Sequence, residues 1–453
     1  MTNGHPSLDD TPAHNLQPGS AAAHAMSRRK FVRSSAVTLG AAALLPLFGA
    51  GRGGIDGPSG SDAATESLNP DELFRLGRFE EADRGYRRLL RENPNNAHAA
   101  ARHGYTALMS NRFDDAEVFL TRAVELVPND AFSKRQLADT FVRQDQLARA
   151  VPLLRGLDDQ SRALAAVYAS ITGKPYQIVG ADRTRVPFPA VDPLPHFKVS
   201  LNGGTPEYVV FDTGATLGFN GETAARLGLQ EVATSSAFVI GQNVTLSYGV
   251  LQSLRIGEIE LRNVPATWSD QLRFPPLSDG TTPSGAIGTD IFYRFLTTLD
   301  YQHRALLLRR KTRAELARFR AGARHAEVLP LWLVTDHLAC TLGSLNGFGP
   351  RLVLLDTGAV GIGVLTTEKF ARLSGIKVDR NRPSPGGFFN VVADRISLGD
   401  AVRRHVPGLL GPFPWSSLFP FEVIAAFAHE FYRPFAVTFD FVNMKLYVTG
   451  GLQ

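Results

Sequence analysis

Tyr208-Val209-Val210-Phe211-Asp212-Thr213-Gly214-Ala215 and Leu352-Val353-Leu354-Leu355-Asp356-Thr357-Gly358-Ala359 are two renderings of one pattern, an apolar run that ends in Asp-Thr-Gly-Ala. Aliphatic and aromatic runs of this length suit buried strands, and the polar, glycine-containing tetrapeptide suits a turn. Each aspartate therefore stands where a core strand stops. One such tetrapeptide reads as an ordinary turn, but two with matching approaches ask for a common cause.

The likeness continues downstream in the same order, over a unit of about 140 residues. Glu222-Thr223-Ala224-Ala225-Arg226-Leu227 follows the first turn and Glu368-Lys369-Phe370-Ala371-Arg372-Leu373 the second, both helix-like. Leu254-Arg255-Ile256-Gly257 with Val264-Pro265 pairs with Ile396-Ser397-Leu398-Gly399 and Val406-Pro407. Phe292-Tyr293-Arg294 and Asp300-Tyr301 then match Phe431-Tyr432-Arg433 and Asp440-Phe441. The second half of the chain is thus an internal duplication.

With its two Asp-Thr-Gly-Ala turns and its Ala286-Ile287-Gly288 element, the segment 174–453 resembles the retropepsin-like aspartyl proteases, the clan of pepsin and the retroviral enzymes. The resemblance implies two small β-barrel lobes whose aspartates meet, both carried here by a single chain. It implies that Asp212 and Asp356 jointly activate a water and polarise a peptide carbonyl. Thr213 and Thr357 would lock the turns by hydroxyl bonds across the lobes, and Gly214 and Gly358 would permit the tight backbone. Ala215 and Ala359 stand where pepsin-like enzymes usually carry Ser or Thr. A hydroxyl there would favour the charged carboxylate, so alanine implies an optimum nearer mildly acidic or neutral pH. Flaps are expected at Ala237–Val250, with Gly241, Tyr248 and Gly249 as pivots, and at Gly386-Gly387-Phe388-Phe389. Aligned from the Val-Pro and Phe-Tyr-Arg landmarks, Ala425-Ala426-Phe427 falls opposite Ala286-Ile287-Gly288, which sets a bulky ring where the family has glycine. That departure makes Asp356 the less secure partner.

Ahead of this segment a 34-residue period runs through Ala82, Ala116 and Ala150, and through Phe79, Phe113 and Leu147. Pro94 and Pro128 close the first two units, and Gly104 and Ala138 take a small position in the first helix of a pair. The pattern resembles tetratricopeptide helix pairs, with a third unit degraded by Pro152 and a capping helix near Gln160–Thr172. Such an array would leave a concave surface for a protein partner.

Near the N-terminus, Ser27-Arg28-Arg29-Lys30-Phe31-Val32 precedes an apolar stretch from Ala36 to Ala50, which resembles a twin-arginine export signal with Met26 as a candidate start. The stretch is too short and too rich in Ala and Gly to read as a spanning helix. The net charge of +5 falls to +2 once residues 1–52 are set aside, too little to argue for nucleic acid or an anionic membrane. The basic run Arg309–Arg324 reads as a solvated inter-lobe helix. Cys340 is the only cysteine, so no intrachain disulfide can form.

The fold class expected is multidomain, with α-helical repeats followed by an all-β bilobed acid-protease-like domain. The boundaries read as an export region at 1–52, a linker at 53–62, helical repeats at 63–172, a first lobe at 174–310, an inter-lobe helix at 311–324 and a second lobe at 325–453. The function expected is an exported, periplasmic or otherwise extracytoplasmic aspartic endopeptidase acting on peptides or proteins. The alternative is a peptide-binding protein that keeps the cleft without hydrolysis. Neither a metal nor an organic cofactor is expected, since the chain has no His-Glu-x-x-His and no phosphate-cradling Gly-rich Lys motif. No nucleic acid and no stable membrane insertion after signal removal are expected.

Overall fold

The computed structural model describes residues 69–239, 242–384, 387–413 and 418–450. The export-type segment, the linker, Gly241 and Gly386 lie outside the described residues.

The described chain opens with helices α1 (Pro70–Arg75), α2 (Phe79–Glu92), α3 (Ala97–Met109), α4 (Phe113–Leu126), α5 (Ala131–Arg143), α6 (Leu147–Leu154) and α7 (Asp159–Ser170). Side chains of Asn69, Asn96, Asp130 and Asp158 each accept a backbone N–H in the first turn of the helix that follows, which satisfies amides the helix cannot. Pro94 and Pro128 sit in the turns before α3 and α5. α6 is cut short two residues after Pro152, which has no amide to continue the ladder. At Gly104 a Cβ would come within 2.7 Å of Leu120, so glycine lets α3 and α4 approach.

The second β lobe packs directly on the helical array. α3 and α5 bury most of their residues. Phe79 meets Trp332 and Phe421 edge-on, at ring-centroid distances of 5.3 and 5.1 Å. The Tyr105 hydroxyl donates to the Val334 carbonyl (2.6 Å), and Arg143 donates to the carbonyls of Leu333 (2.9 Å) and Thr335 (2.7 Å). The physical cause is apolar: Phe74, Phe79 and Tyr105 share one continuous core with Trp332, Leu352 and Phe421. Each would otherwise leave a large hydrophobic surface in water.

The β part begins with β1 (Gln177–Gly180), β2 (Arg183–Pro187), β3 (His196–Leu201), β4 (Glu207–Phe211) and β5 (Gly218–Asn220), then α8 (Gly221–Arg226). It continues through β6 (Ala233–Val239), β7 (Gln242–Ile256), β8 (Ile259–Ser269), β9 (Gly285–Ile287), α9 (Thr289–Phe292), β10 (Phe295–Asp300) and β11 (Ala305–Arg310). After α10 (Arg313–Gly322) come β12 (Glu327–Pro330), β13 (Trp332–Leu333), β14 (Ala339–Leu345), β15 (Phe348–Leu355), β16 (Val364–Thr366) and α11 (Glu368–Leu373). The last elements are β17 (Val378–Ser384), β18 (Phe388–Leu398), β19 (Ala401–Leu410), β20 (Ala425–Phe427), α12 (His429–Tyr432), β21 (Phe435–Asp440) and β22 (Lys445–Gly450).

The duplication is a duplication of topology. The first lobe orders its strands β8-β5-β9-β4-β3-β7-β6 and the second β19-β16-β20-β15-β14-β18-β17, strand for strand. A third sheet, β12-β22-β21-β10-β11-β2, takes three strands from each half. At its middle Thr298 faces Thr438, with 2.7 Å between their hydroxyls, so the local symmetry axis passes through a self-paired rung. The basic run departs from expectation. Arg309 and Arg310 belong to β11 and only the part from Arg313 is helical; Lys311 lies 4.1 Å from the Tyr293 ring rather than on a solvated helix face.

Candidate active site

β4 and β15 each lie between two strands of their own sheet, and their ends are fixed by parallel partners. The Asp212 amide donates to the Ile287 carbonyl (3.1 Å) and the Asp356 amide to that of Phe427 (2.9 Å). These bonds set both turns at the same height. The turns then clasp one another: the Thr213 amide donates to the Thr357 hydroxyl (3.0 Å), the Thr357 amide to the Thr213 hydroxyl (2.9 Å), and the Thr213 hydroxyl to the Leu355 carbonyl (2.9 Å). Both threonines are buried, so each bond is made away from competing water.

Within each turn the glycine amide turns back onto its own aspartate, Gly214 to Asp212 at 2.8 Å and Gly358 to Asp356 at 2.9 Å. The glycines are required by the facing acid. A Cβ on Gly214 would lie 2.9 Å from Asp356 Oδ1 and 3.3 Å from Asp212 Oδ1, and one on Gly358 would lie 2.2 Å from Asp212 Oδ2. Those contacts also show how closely the two carboxylates converge. Asp212 is 1% exposed and Asp356 partly exposed, so the pair is reached from the side of the second aspartate.

Burial raises the Asp212 carboxyl well above its usual range, the neighbouring Asp356 charge raises it further, and the Gly214 amide opposes both. Asp356 is also raised by burial, with the Gly358 amide and the His337 charge opposing. Two facing acids of this kind share a proton, and their titration belongs to the pair. Ala215 and Ala359 are buried and bring no hydroxyl to either carboxylate. Ala215 faces a cluster that includes α7 and β7, while Ala359 belongs to the core shared with the helices.

The alignment of Phe427 with Gly288 is corrected by strand register. β9 sets Gly285, Ala286 and Ile287 against Val209, Val210 and Phe211, and β20 sets Ala425, Ala426 and Phe427 against Val353, Leu354 and Leu355. Phe427 is therefore the counterpart of Ile287, and Ala428 that of Gly288. The large and small members of one rung are exchanged: Phe211 beside Ile287 in one lobe, Leu355 beside Phe427 in the other, all buried. The Phe-Tyr-Arg landmarks misled because they sit one residue out of step between α9 and α12. A methyl at Ala428 fits because the second turn is longer. Gly218 comes six residues after Asp212, but its counterpart Leu365, opposite Ala426, comes nine after Asp356. In the first lobe the Thr289 amide donates to the Ala215 carbonyl (3.0 Å); in the second, Ala428 and Glu430 donate instead to Gly363 and Ile362 (2.9 Å each).

The flap expectation also needs revision. β6–β7 and β17–β18 are hairpins in the expected places, but Tyr248 and Gly249 lie inside β7, paired with Ala233 and Ala266. A Cβ on Gly249 would fall 2.4 Å from the Gln230 carbonyl, so this glycine serves a close approach rather than a pivot.

Several supporting residues escaped the sequence reading. The Thr289 hydroxyl donates to the Thr213 carbonyl (2.9 Å), and Asp290, raised by burial to about 6, accepts the Leu217 amide (3.0 Å). The Gly288-Thr289-Asp290 string beside Ile287 was the available signal. Across the lobes Arg433 binds Asp192 and donates to Glu430 (2.6 Å). Asp192, His429 and Glu430 hold ligand-type atoms within 4.8 Å of one another, yet Arg433 already brings a positive charge to both carboxylates. His337, buried beside its partner Asp336 (2.6 Å), had no signal in sequence.

Residues 197–291 match the family model described as aspartyl protease. That span carries Asp212, the β6–β7 hairpin and the Gly288 element, so the match supports a hydrolase of the aspartic-protease kind. No curated protein matches the chain. Among solved structures, a mutant O-GlcNAc transferase from Thermobaculum terrenum is similar at 24% identity over 26% of this chain, with a TM-score of 0.21. This chain covers 24% of that structure's length.

Proposed function

We propose that this protein is an exported aspartic peptidase in which Asp212 and Asp356 jointly hydrolyse a peptide bond. The observation that carries the reading is the clasp of two buried Asp-Thr-Gly turns, which brings both carboxylates to one point and holds them by backbone amides. With one proton shared between them, the ionised member draws a proton from a water held between the pair while the protonated member donates to the substrate carbonyl. No covalent intermediate is needed. Neighbouring threonines have no access to the reacting atoms; their part is to keep the acids in place.

The alternative, a cleft that binds peptide without hydrolysis, drew on Phe427, and Phe427 lies in the core. Export rests on the Arg28-Arg29 segment and its apolar sequel. Partner docking on the helical array rests on the 34-residue repeat pattern of the sequence, and Val118 is exposed on that array.

The test is cleavage of a peptide library across pH by the protein without its export segment, beside Asp212→Asn and Asp356→Asn. Cleavage lost in both variants supports the pair. Cleavage that survives either substitution refutes joint action.

A further inference from the structure

The helices also reach the neighbourhood of the aspartates. α7 packs against β6 and β7, where Ala163 and Val167 join an apolar cluster with Val244, Leu246 and Tyr248. The same cluster includes Ala215, at the end of the first aspartate turn, and Val360, just after the second. Beside it lies a cavity of about 80 Å³, with Arg143 of α5 and Gln160 and Tyr168 of α7 on one wall and Thr216, Leu217 and His337 on others. At ~30 Å³ per water, that space holds about three waters or one carboxylate group.

Its polar lining is unbalanced in one direction. The three acids there are matched: Asp139 accepts from Arg135 (3.1 Å), Asp336 from His337 Nδ1 (2.6 Å), and Asp290 from the Leu217 amide (3.0 Å). By contrast Arg143 Nε, Arg294 Nε and His337 Nε2 are buried without a partner among the described residues, and all three residues line this cavity. The arginine Nε–H groups are donors at any working pH, and the neighbouring Asp336 raises the His337 ring against the cost of its burial, which favours a proton on Nε2 as well. Buried donors left unpaired are costly, and a group that brings acceptor oxygens into this cavity would satisfy them.

We propose that the helical array closes one end of the substrate cleft and that this cavity receives the carboxylate of a substrate's C-terminus. The inference rests on the peptidase reading above and narrows it: scissile bonds lie a few residues from a free chain end. Arginine and imidazole N–H donors suit the two acceptor oxygens of a carboxylate, and a buried anion is tolerated only beside such donors. A terminal amide would turn an NH₂ group towards donors. An Asp or Glu side chain offers the same chemistry from another source, and the test separates the two.

Binding to the Asp212→Asn protein is measured by calorimetry for one peptide in three forms: free acid, C-terminal amide, and amide with Glu as the final residue. The free acid is expected to bind at least tenfold tighter than the amide, and Glu should not restore the loss. Equal affinity for acid and amide overturns the proposal, as does full restoration by Glu. In His337→Gln, and separately in Leu164→Phe, which fills the cavity, the acid-to-amide ratio should fall towards one in protein that still unfolds in a cooperative thermal transition. The parent ratio decides the matter even if either variant fails to fold. An acid preference in a protein that cleaves no peptide would defeat the peptidase reading and leave the cavity assignment standing. Cleavage with no acid preference would do the reverse.

Discussion

Gly288 and Ala428 occupy the same place in the two lobes, so exchanging their side chains tests whether the lobes are supported differently. In Gly288→Ala the new Cβ would stand 1.7 Å from the Ala215 carbonyl oxygen and 2.8 Å from the Thr216 amide nitrogen, where real Cβ atoms keep beyond 3.0 Å. The carbonyl must retreat by more than an ångström. That movement breaks the 3.0 Å bond from the Thr289 amide, which is buried. Overpacking costs about 1–3 kcal/mol, and an orphaned buried donor adds about 1–3 more, so a loss of about 2–6 kcal/mol is expected. The reverse change, Ala428→Gly, removes one methyl and frees the unfolded backbone, at a cost of about 1 kcal/mol. Urea unfolding of both variants at one pH measures the difference. Peptide cleavage should fall with Gly288→Ala far more than with Ala428→Gly, because Ala215 shares a turn with Asp212. If the two variants lost equal stability, or if Gly288→Ala lost less than 1 kcal/mol, the register that pairs Gly288 with Ala428 would be refuted.

Asp290 carries a pH signature, because its folded value of about 6 exceeds the ordinary 3.8. The folded state therefore holds the extra proton, and the contribution is full below pH 4 and lost as pH rises through 6. By about 1.4 kcal/mol per unit, Asp290→Asn should be more stable than the parent by about 2–3 kcal/mol at pH 7.5 and by nearly nothing at pH 3.5; equal gains at both would reject this. Asp212→Asn and Asp356→Asn should each lower kcat by at least about 10²–10⁴-fold while peptide binding persists, read by single-turnover cleavage beside calorimetry. Thr213→Ala leaves the Thr357 amide without its acceptor and should cost about 2–4 kcal/mol in chemical denaturation; a cost under 0.5 would show that the clasp is not supporting the turns. Phe79→Ala, at the joint of helices and second lobe, should cost about 3–5 kcal/mol and lower a single thermal transition monitored by both helix and strand signals. Two separate transitions would mean the array folds apart from the lobes.

Much of the architecture was legible because its signals are local. Strand-length apolar runs ending in Asp-Thr-Gly-Ala predict β4 and β15 closely, and the Glu222 and Glu368 segments become α8 and α11. The 34-residue spacing with Pro94 and Pro128 places α2 to α5 by helix periodicity and turn chemistry. Register was harder. Phe-Tyr-Arg recurs in both halves, but a helix turn in one lobe begins one residue away from where the triplet implies, and letters alone cannot detect a slip that preserves hydrophobicity. Only the parallel pairing of β20 with β15 shows that Phe427 replaces Ile287 and compensates Leu355 across the same rung.

By itself the sequence determined the order of helices and β lobes, the duplicated turns and the positions of two candidate acids, since each is written in contiguous residues with their own periodicity. The tertiary structure decided what those acids face. Their convergence depends on hydroxyls exchanged between Thr213 and Thr357, 144 residues apart. The second lobe's packing against the helices depends on Phe79, Trp332 and Phe421 burying one another. The donor-lined cavity brings Arg143, Arg294 and His337 together from three distant stretches. Burial and proximity of this kind come from packing between segments, so they exist only once the chain has folded.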